Sequence, residues 1–240
     1  PKTYSPLIIL SAYDVWGGAV TGRSASHPAG CFAFRSLNSL KIMCLCALKS
    51  RLVVNAFTPD KGAIMDARDV LREAASRPAA EAKALVKTLP KEALNAHAGG
   101  HTNSIAWLLW HAGRQMDVQL SQLNGEPQVW HSQGFDARFN LGELGDTVGY
   151  GHTAEQARAV VVEDAALLVE YLSATAAALS EYIAGLSEAD LDDVIDTSWT
   201  PHVTRGVRLV SMIDDAAQHV GQAAYAAGIL AGAASSGGEA

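Results

Sequence analysis

The sequence predicts an all-α fold, a four-helix bundle preceded by an irregular N-terminal extension. Three observations predict it. Between Met65 and Gly232, apolar residues recur at three- and four-residue spacing, the period of helices that each bury one face. The same region shows no convincing strand alternation. Caps and Gly/Pro punctuation divide it into four long amphipathic segments, which is what a bundle needs.

The first segment opens at Asp66-Ala-Arg-Asp69, acidic as a helix N-terminus favours, and runs through Ala-rich sequence to about Leu89 with a kink expected near Pro78. Leu89–Leu94 reads as a one-turn connector, and Gly99-Gly100 punctuate. Thr102 or Asn103 can cap the second helix, whose stripe is Ile105, Leu108, Leu109, Ala112, Met116, Leu120 and Leu123, ending near Asn124-Gly125. From Glu126 to Gly151 one Pro, five Gly and scattered aromatics predict an ordered loop rather than a regular element.

Thr153-Ala-Glu-Gln156 has the pattern of a capping box and opens a third helix expected to reach about Ile183. Gly185 and Ser187–Asp190 mark a turn, and Trp199-Thr-Pro201 introduces the last helix, from about Thr204 to about Ala231. Its predicted core face is Val207, Val210, Ile213, Ala217, Val220, Ala224 and Ile229. Residues 233–240 are expected to be disordered.

The 240-residue chain is 49% apolar, enough for a real core. Its net charge of −7 is unevenly spread: residues 1–64 carry seven Lys/Arg against two Asp/Glu, and residues 65–240 carry eleven against twenty-three. The second part, at −12, repels phosphate backbones and shows no basic patch, so nucleic acid is excluded as its partner and a small-molecule substrate is expected. No apolar run is long and uncharged enough to span a membrane, and no clean signal peptide is present.

Cys31, Cys44 and Cys46 all fall before residue 65, so neither disulfides nor a cysteine-based zinc site can hold the acidic domain together, and a reducing cytoplasm is the expected compartment. Residues 1–64 read as foreign to the helical region. We expect Met65 to be the natural start and the preceding segment to be translated upstream sequence or an artefact; a short disordered or partly helical extension is the other reading. The domain is then 65–232.

Three polar side chains share helical faces with apolar neighbours. His111 follows Trp107-Leu-Leu-Trp110 on the second helix, and Asp215 and His219 lie four apart on the last, so they project from one face. An Asp and two His from facing helices can give a divalent metal three ligands on one side and leave positions open for water or substrate. Such spacings also arise by chance, and a core-edge histidine bonded to a carbonyl would equally explain His111. Asp214 is the alternative carboxylate. His97, His101, His131, His152 and His202 fall in expected loops or at helix starts, with His101 and His152 near caps.

The run Asn103-Ser-Ile-Ala-Trp-Leu-Leu-Trp-His111-Ala-Gly-Arg-Gln-Met-Asp117 resembles the second-helix motif of the DinB/YfiT-like metalloenzymes, in which an Ile-Ala-Trp-Leu stretch leads to a metal-ligand histidine and then a carboxylate. Asp215-Ala-Ala-Gln-His219-Val-Gly-Gln222 is similar to their last-helix motif, usually His-x-x-x-His. Asp215 departs from the commonest pattern, although related branches carry a carboxylate there. The resemblance spans nearly all of 65–232 and implies a four-helix bundle with zinc, nickel, manganese or iron held by His111, Asp215 and His219.

It also implies transfer or isomerisation chemistry with a low-molecular-weight thiol of the mycothiol or bacillithiol type. The Glu126–Tyr150 loop, with Trp130, His131, Arg138 and Tyr150, is then the candidate pocket wall, and Arg138 could pair with a carboxylate of thiol or substrate. Arg138 and Tyr150 are the residues expected to contact that cosubstrate; ordinary loop packing is the competing account. Two rival functions stand beside this one: metal-assisted hydrolysis, and a non-catalytic helical dimerisation module with a vestigial site. The Ala223–Gly228 stretch would permit close helix contact, and so a homodimer, under any of them. No serine sits in the strand-turn-helix context of a nucleophile elbow.

Overall fold

The computed structural model describes residues 2–3 and 64–236. The chain divides into two compact units, Pro1–Ala12 with Ala56–Ala240, and Tyr13–Asn55; the second, with all three cysteines, lies outside the described residues, as do the expectations for most of 1–64 and for residues 237–240.

Four long helices form a bundle: α1 (Ala67–Val86), α2 (Ile105–Asn124), α6 (Ala165–Ala184) and α7 (Arg205–Ser236). Helices α1 and α2 each pack against both α6 and α7. Three short helices, α3 (Val129–Ser132), α4 (Phe135–Phe139) and α5 (Ala154–Ala159), lie in the α2–α6 connection. Two-residue strand β1 (Lys2–Thr3) pairs in parallel with β3 (Trp199–Thr200), and β2 (Val194–Asp196) pairs antiparallel with β4 (Val203–Thr204) across a register shift. Among the described residues no helix is long and apolar enough to cross a membrane.

Local chemistry explains the boundaries. Asp66 and Asp69 form a reciprocal capping box on α1, which runs on through Pro78. Helix α2 is capped by Ser104, whose hydroxyl accepts from the Trp107 N–H at 3.1 Å. Neither Thr102 nor Asn103 holds that place, because the backbone turns helical only at Ile105. Gly125, in the left-handed region, ends α2.

The expected loop after α2 is partly regular, since α3 and α4 bury Trp130, Phe135 and Phe139 against Tyr171 of α6. The expected third helix is in fact two. Its predicted capping box is present at Thr153 and Gln156, but α5 stops at Ala159 and α6 restarts under an Asp164 cap. The break falls on Val160-Val161-Val162, β-branched residues that favour extended backbone, and the Asn95 side chain both donates to and accepts from the Val162 backbone at 2.9 and 3.0 Å. The strands, two or three residues long, are too short to show alternation in sequence.

The buried face of α7 matches the expected one at Ile213 and Val220 and departs from it elsewhere. Leu209, Met212, Ile213, Asp215, Ala216, His219, Val220 and Ala223 point inward, while Val207, Val210 and Ile229 are exposed. The core face of α7 thus includes two polar residues, Asp215 and His219, among six apolar ones. Helix α7 also extends through Ser236. Where α2 crosses α6 the helices approach closely: a Cβ at Gly113 would lie 2.6 Å from the Tyr171 ring. Each fully buried Leu or Phe in this core contributes about 1.5–3 kcal/mol relative to exposure.

Candidate metal centre

The bundle brings His111 from α2 together with Asp215 and His219 from α7. Each can offer one ligand atom, and the three atoms lie within 4.8 Å of one another. All three side chains are buried. The His111 and His219 rings meet edge to face, with centroids 4.5 Å apart, and His219 Nε2 lies 3.5 Å from Asp215 Oδ1. No Lys or Arg among the described residues forms an ion pair with Asp215. The alternative carboxylate, Asp214, instead accepts from Gln218 Nε2 at 2.7 Å on the exposed side of α7.

Each histidine has a partner that fixes its tautomer. His111 Nδ1 lies 2.5 Å from the Val148 carbonyl, which can only accept, so Nδ1 carries the hydrogen and Nε2 keeps the lone pair. His219 Nδ1 lies 3.0 Å from Gln222 Oε1, which sets the same tautomer. Burial, then the neighbouring His219, pushes the His111 pKa down to about 4 against the opposing pull of Asp215. His111 is therefore neutral and ligand-ready at pH 7. Two imidazoles with outer hydrogen-bond partners, beside a buried carboxylate without a fixed cation, fit a divalent ion.

The α5-side loop closes over this cluster. Trp107, one turn before His111, stacks on its ring at 4.7 Å and 17° and donates its indole N–H to His152 Nδ1 at 3.2 Å. His152 in turn donates from Nε2 to Thr147 Oγ1 at 2.8 Å, and Thr147 donates to the Leu144 carbonyl at 2.7 Å. His152 does sit beside the α5 cap, as expected, and it also stacks on Trp110. Gly149, at φ +93°, is required there: a Cβ would lie 2.9 Å from His111 Nδ1 and 3.0 Å from Trp110.

A second buried polar cluster adjoins the first. Arg114 donates to the Thr147 and Asp146 carbonyls, Gln128 Oε1 and the Tyr171 hydroxyl at 3.0 to 3.2 Å. Asp117 accepts from the Val129 and Trp130 N–H groups at 2.8 Å and from the Tyr171 hydroxyl at 2.9 Å. Burial pushes the Tyr171 hydroxyl pKa upward, so it stays a donor. Sequence reading missed the supporting residues Gln222, Gly149, Thr147 and Arg114. A polar residue one turn from a candidate ligand was the available signal for Gln222 and Arg114; nothing local marks Gly149 or Thr147.

The proposed pocket-wall residues fall in different settings. Trp130 turns inward and packs on Phe139, Tyr171 and the Arg114 guanidinium, so it is core rather than wall. His131 is half exposed beside Asp136 and Asp146. Arg138 pairs with Glu170 of α6 at 2.5 to 2.7 Å and lies over Phe135. Tyr150 is 60% exposed next to Gly149. Neither of these Arg138 contacts reaches the triad.

Residues 58–223 match the DinB superfamily. The chain is also similar to a crystal structure of a conserved protein from Enterococcus faecalis, with 37% identity over 70% of this chain and 99% of that one, and a TM-score of 0.65. No curated protein matches it.

Proposed function

The chain belongs to the DinB superfamily, and on that premise we propose that His111, Asp215 and His219 hold a divalent metal ion at which a low-molecular-weight thiol reacts with a small-molecule substrate. The observation that carries this reading is the pair of histidines whose Nδ1 hydrogens are bound by Val148 and Gln222, leaving two Nε2 lone pairs beside one buried carboxylate. When bound, the ion would lower the pKa of a thiol that joins it and supply a nucleophile at neutral pH.

The residues present do the rest. A divalent ion with one carboxylate leaves a unit of positive charge in a buried site, and burial favours neutralising it with a single anion such as a thiolate. The helical domain supplies no thiol of its own, because residues 65–240 contain no cysteine, so the reading takes the thiol from a separate small molecule. Trp107, stacked on His111 and edge-on to His219, keeps the site apolar and dry. Val148 and Gln222 hold the imidazoles in place. In this reading the exposed Tyr150, and Arg138 if it exchanges Glu170 for a ligand carboxylate, would meet the polar part of thiol or substrate.

The test is elemental analysis of the untagged full chain, followed by thiol-consumption assays with mycothiol or bacillithiol and electrophilic substrates. Near-stoichiometric metal together with thiol-dependent turnover supports the proposal. Turnover without thiol would point to hydrolysis, and a folded chain that resists metal loading would overturn the metal reading.

A further inference from the structure

The three consecutive carbonyls of Asp146, Thr147 and Val148 are all engaged by α2. Arg114 takes the first at 3.2 Å through one terminal nitrogen and the second at 3.1 Å through Nε; His111 takes the third at 2.5 Å through Nδ1. His111 and Arg114 are three apart on α2, so they are neighbours on the helix surface. The carbonyl that fixes the His111 tautomer is thus the next link of a chain segment gripped by the Arg114 fork.

We propose that Arg114 is a positioning residue for the candidate ligand His111: it sets the 146–148 segment so that the Val148 carbonyl holds the His111 ring with Nε2 free. The inference rests on the metal-centre reading for its consequence, but its geometry stands without metal. Arg114 is itself held from three sides, by Gln128 before α3, by Tyr171 of α6 and by the Asp117 carboxylate at 3.7 Å. Asp117 grips the other end of the same connection through the Val129 and Trp130 N–H groups. The fork therefore ties the α3 end of the connection to the segment over the metal centre.

Only a planar guanidinium spans this set. A lysine ammonium at the same place keeps the charge but is a point donor and cannot bridge two adjacent carbonyls and two side-chain acceptors at once. A residue that merely filled the core would leave the His111 tautomer untouched when exchanged; a positioning residue would not.

The experiment uses the full chain in two states. In metal-free protein, nitrogen-15 NMR of the imidazoles reads the tautomers of His111 and His219 in wild type and Arg114→Lys; with Zn²⁺ as the probe, calorimetry reads affinity. The expected result is that Arg114→Lys converts His111 from its Nδ1–H form to a mixture, leaves the Gln222-bound His219 as it was, and weakens Zn²⁺ binding about tenfold, the low end for loss of an outer-shell partner. A folded Arg114→Lys chain with the wild-type His111 tautomer overturns the proposal. If that variant does not fold, Gln128→Leu decides: it removes one Arg114 anchor at the start of α3, and a shift of the His111 tautomer in the same direction supports the role, while no shift overturns it. A wild type that binds no Zn²⁺ refutes the metal reading alone, because the metal-free tautomers judge Arg114 independently.

Discussion

Helix α2 carries two buried polar clusters within two turns, and they are satisfied in opposite ways. Around Arg114 and Asp117 the protein supplies the partners: four donations from the guanidinium, and three donors onto the carboxylate. Around His111, Asp215 and His219 the fold binds only the outer Nδ1 atoms, while His219 Nε2 faces Asp215 Oδ1 at 3.5 Å and one ligand atom from each of the three residues lies within 4.8 Å of the others. Burying a polar group costs free energy unless something pairs with it. A cluster saturated by its own fold is a fastening. One whose lone pairs converge is built for something brought in from outside.

Deleting members of each cluster should cause different properties to fail. His219→Ala or His111→Ala should abolish near-stoichiometric metal in the purified chain, beyond the roughly 10- to 100-fold weakening that loss of an outer partner causes, while the melting transition of the metal-free protein survives; elemental analysis and calorimetry read the two. Asp117→Ala should do the reverse. It strands the buried Arg114 charge and removes the acceptor for two backbone N–H groups, at a cost of about 3–5 kcal/mol, seen as a lowered denaturant midpoint in metal-free protein. Asp215→Ala in the same metal-free assay should cost less. If Asp215 is instead the more costly deletion, both clusters are fastenings and the contrast between them fails.

The sequence carried the helical cluster better than the loop that completes it. Asp215 and His219 were legible as a pair because i, i+4 spacing on a helix fixes a shared face; joining His111 to them rested on the resemblance of its helix to the family motif, and α2 and α7 do face each other. The core stripe of α7 was legible at Ile213 and Val220 but not around them, because two of its buried positions, Asp215 and His219, are polar while the exposed Val207 and Val210 are apolar. The α5–α6 break was hidden because three valines and a side-chain clamp from Asn95, 67 residues away, decide it. Gly149 and the Val148 carbonyl left no local mark at all. Their role depends on where a connection from another part of the chain comes to rest, and spacing does not encode that.

A finer test compares the outer partners of the two histidines. Gln222→Leu removes the side-chain acceptor from His219 and should weaken metal binding about tenfold with little effect on metal-free stability, because Gln222 lies at the edge of the core. The Val148 carbonyl cannot be deleted by substitution, but Gly149→Ala presses a methyl group toward His111 Nδ1 and should weaken metal binding at least as much. A Gln222→Leu chain with wild-type affinity would mean that the α7 half of the site is held by the helix alone.

The smallest effect concerns protons and sharpens the contrast without any metal. His111 titrates at about 4 in the fold because burial opposes its charge, against about 6.5 in an unfolded chain. As pH falls through 6.5 the unfolded chain takes up this proton first, so the stability that a neutral His111 permits is complete above pH 6.5 and is lost progressively toward pH 4. Between pH 7.5 and 5.5 the loss should be about 1 kcal/mol for wild-type apoprotein, and it should shrink in His111→Ala, where that proton has nowhere to go. Arg114→Lys should keep it, because the fork changes the orientation of His111 and not its burial. Denaturant unfolding of the three metal-free chains at the two pH values measures the difference, and equal pH dependence in wild type and His111→Ala would place the titrating group elsewhere.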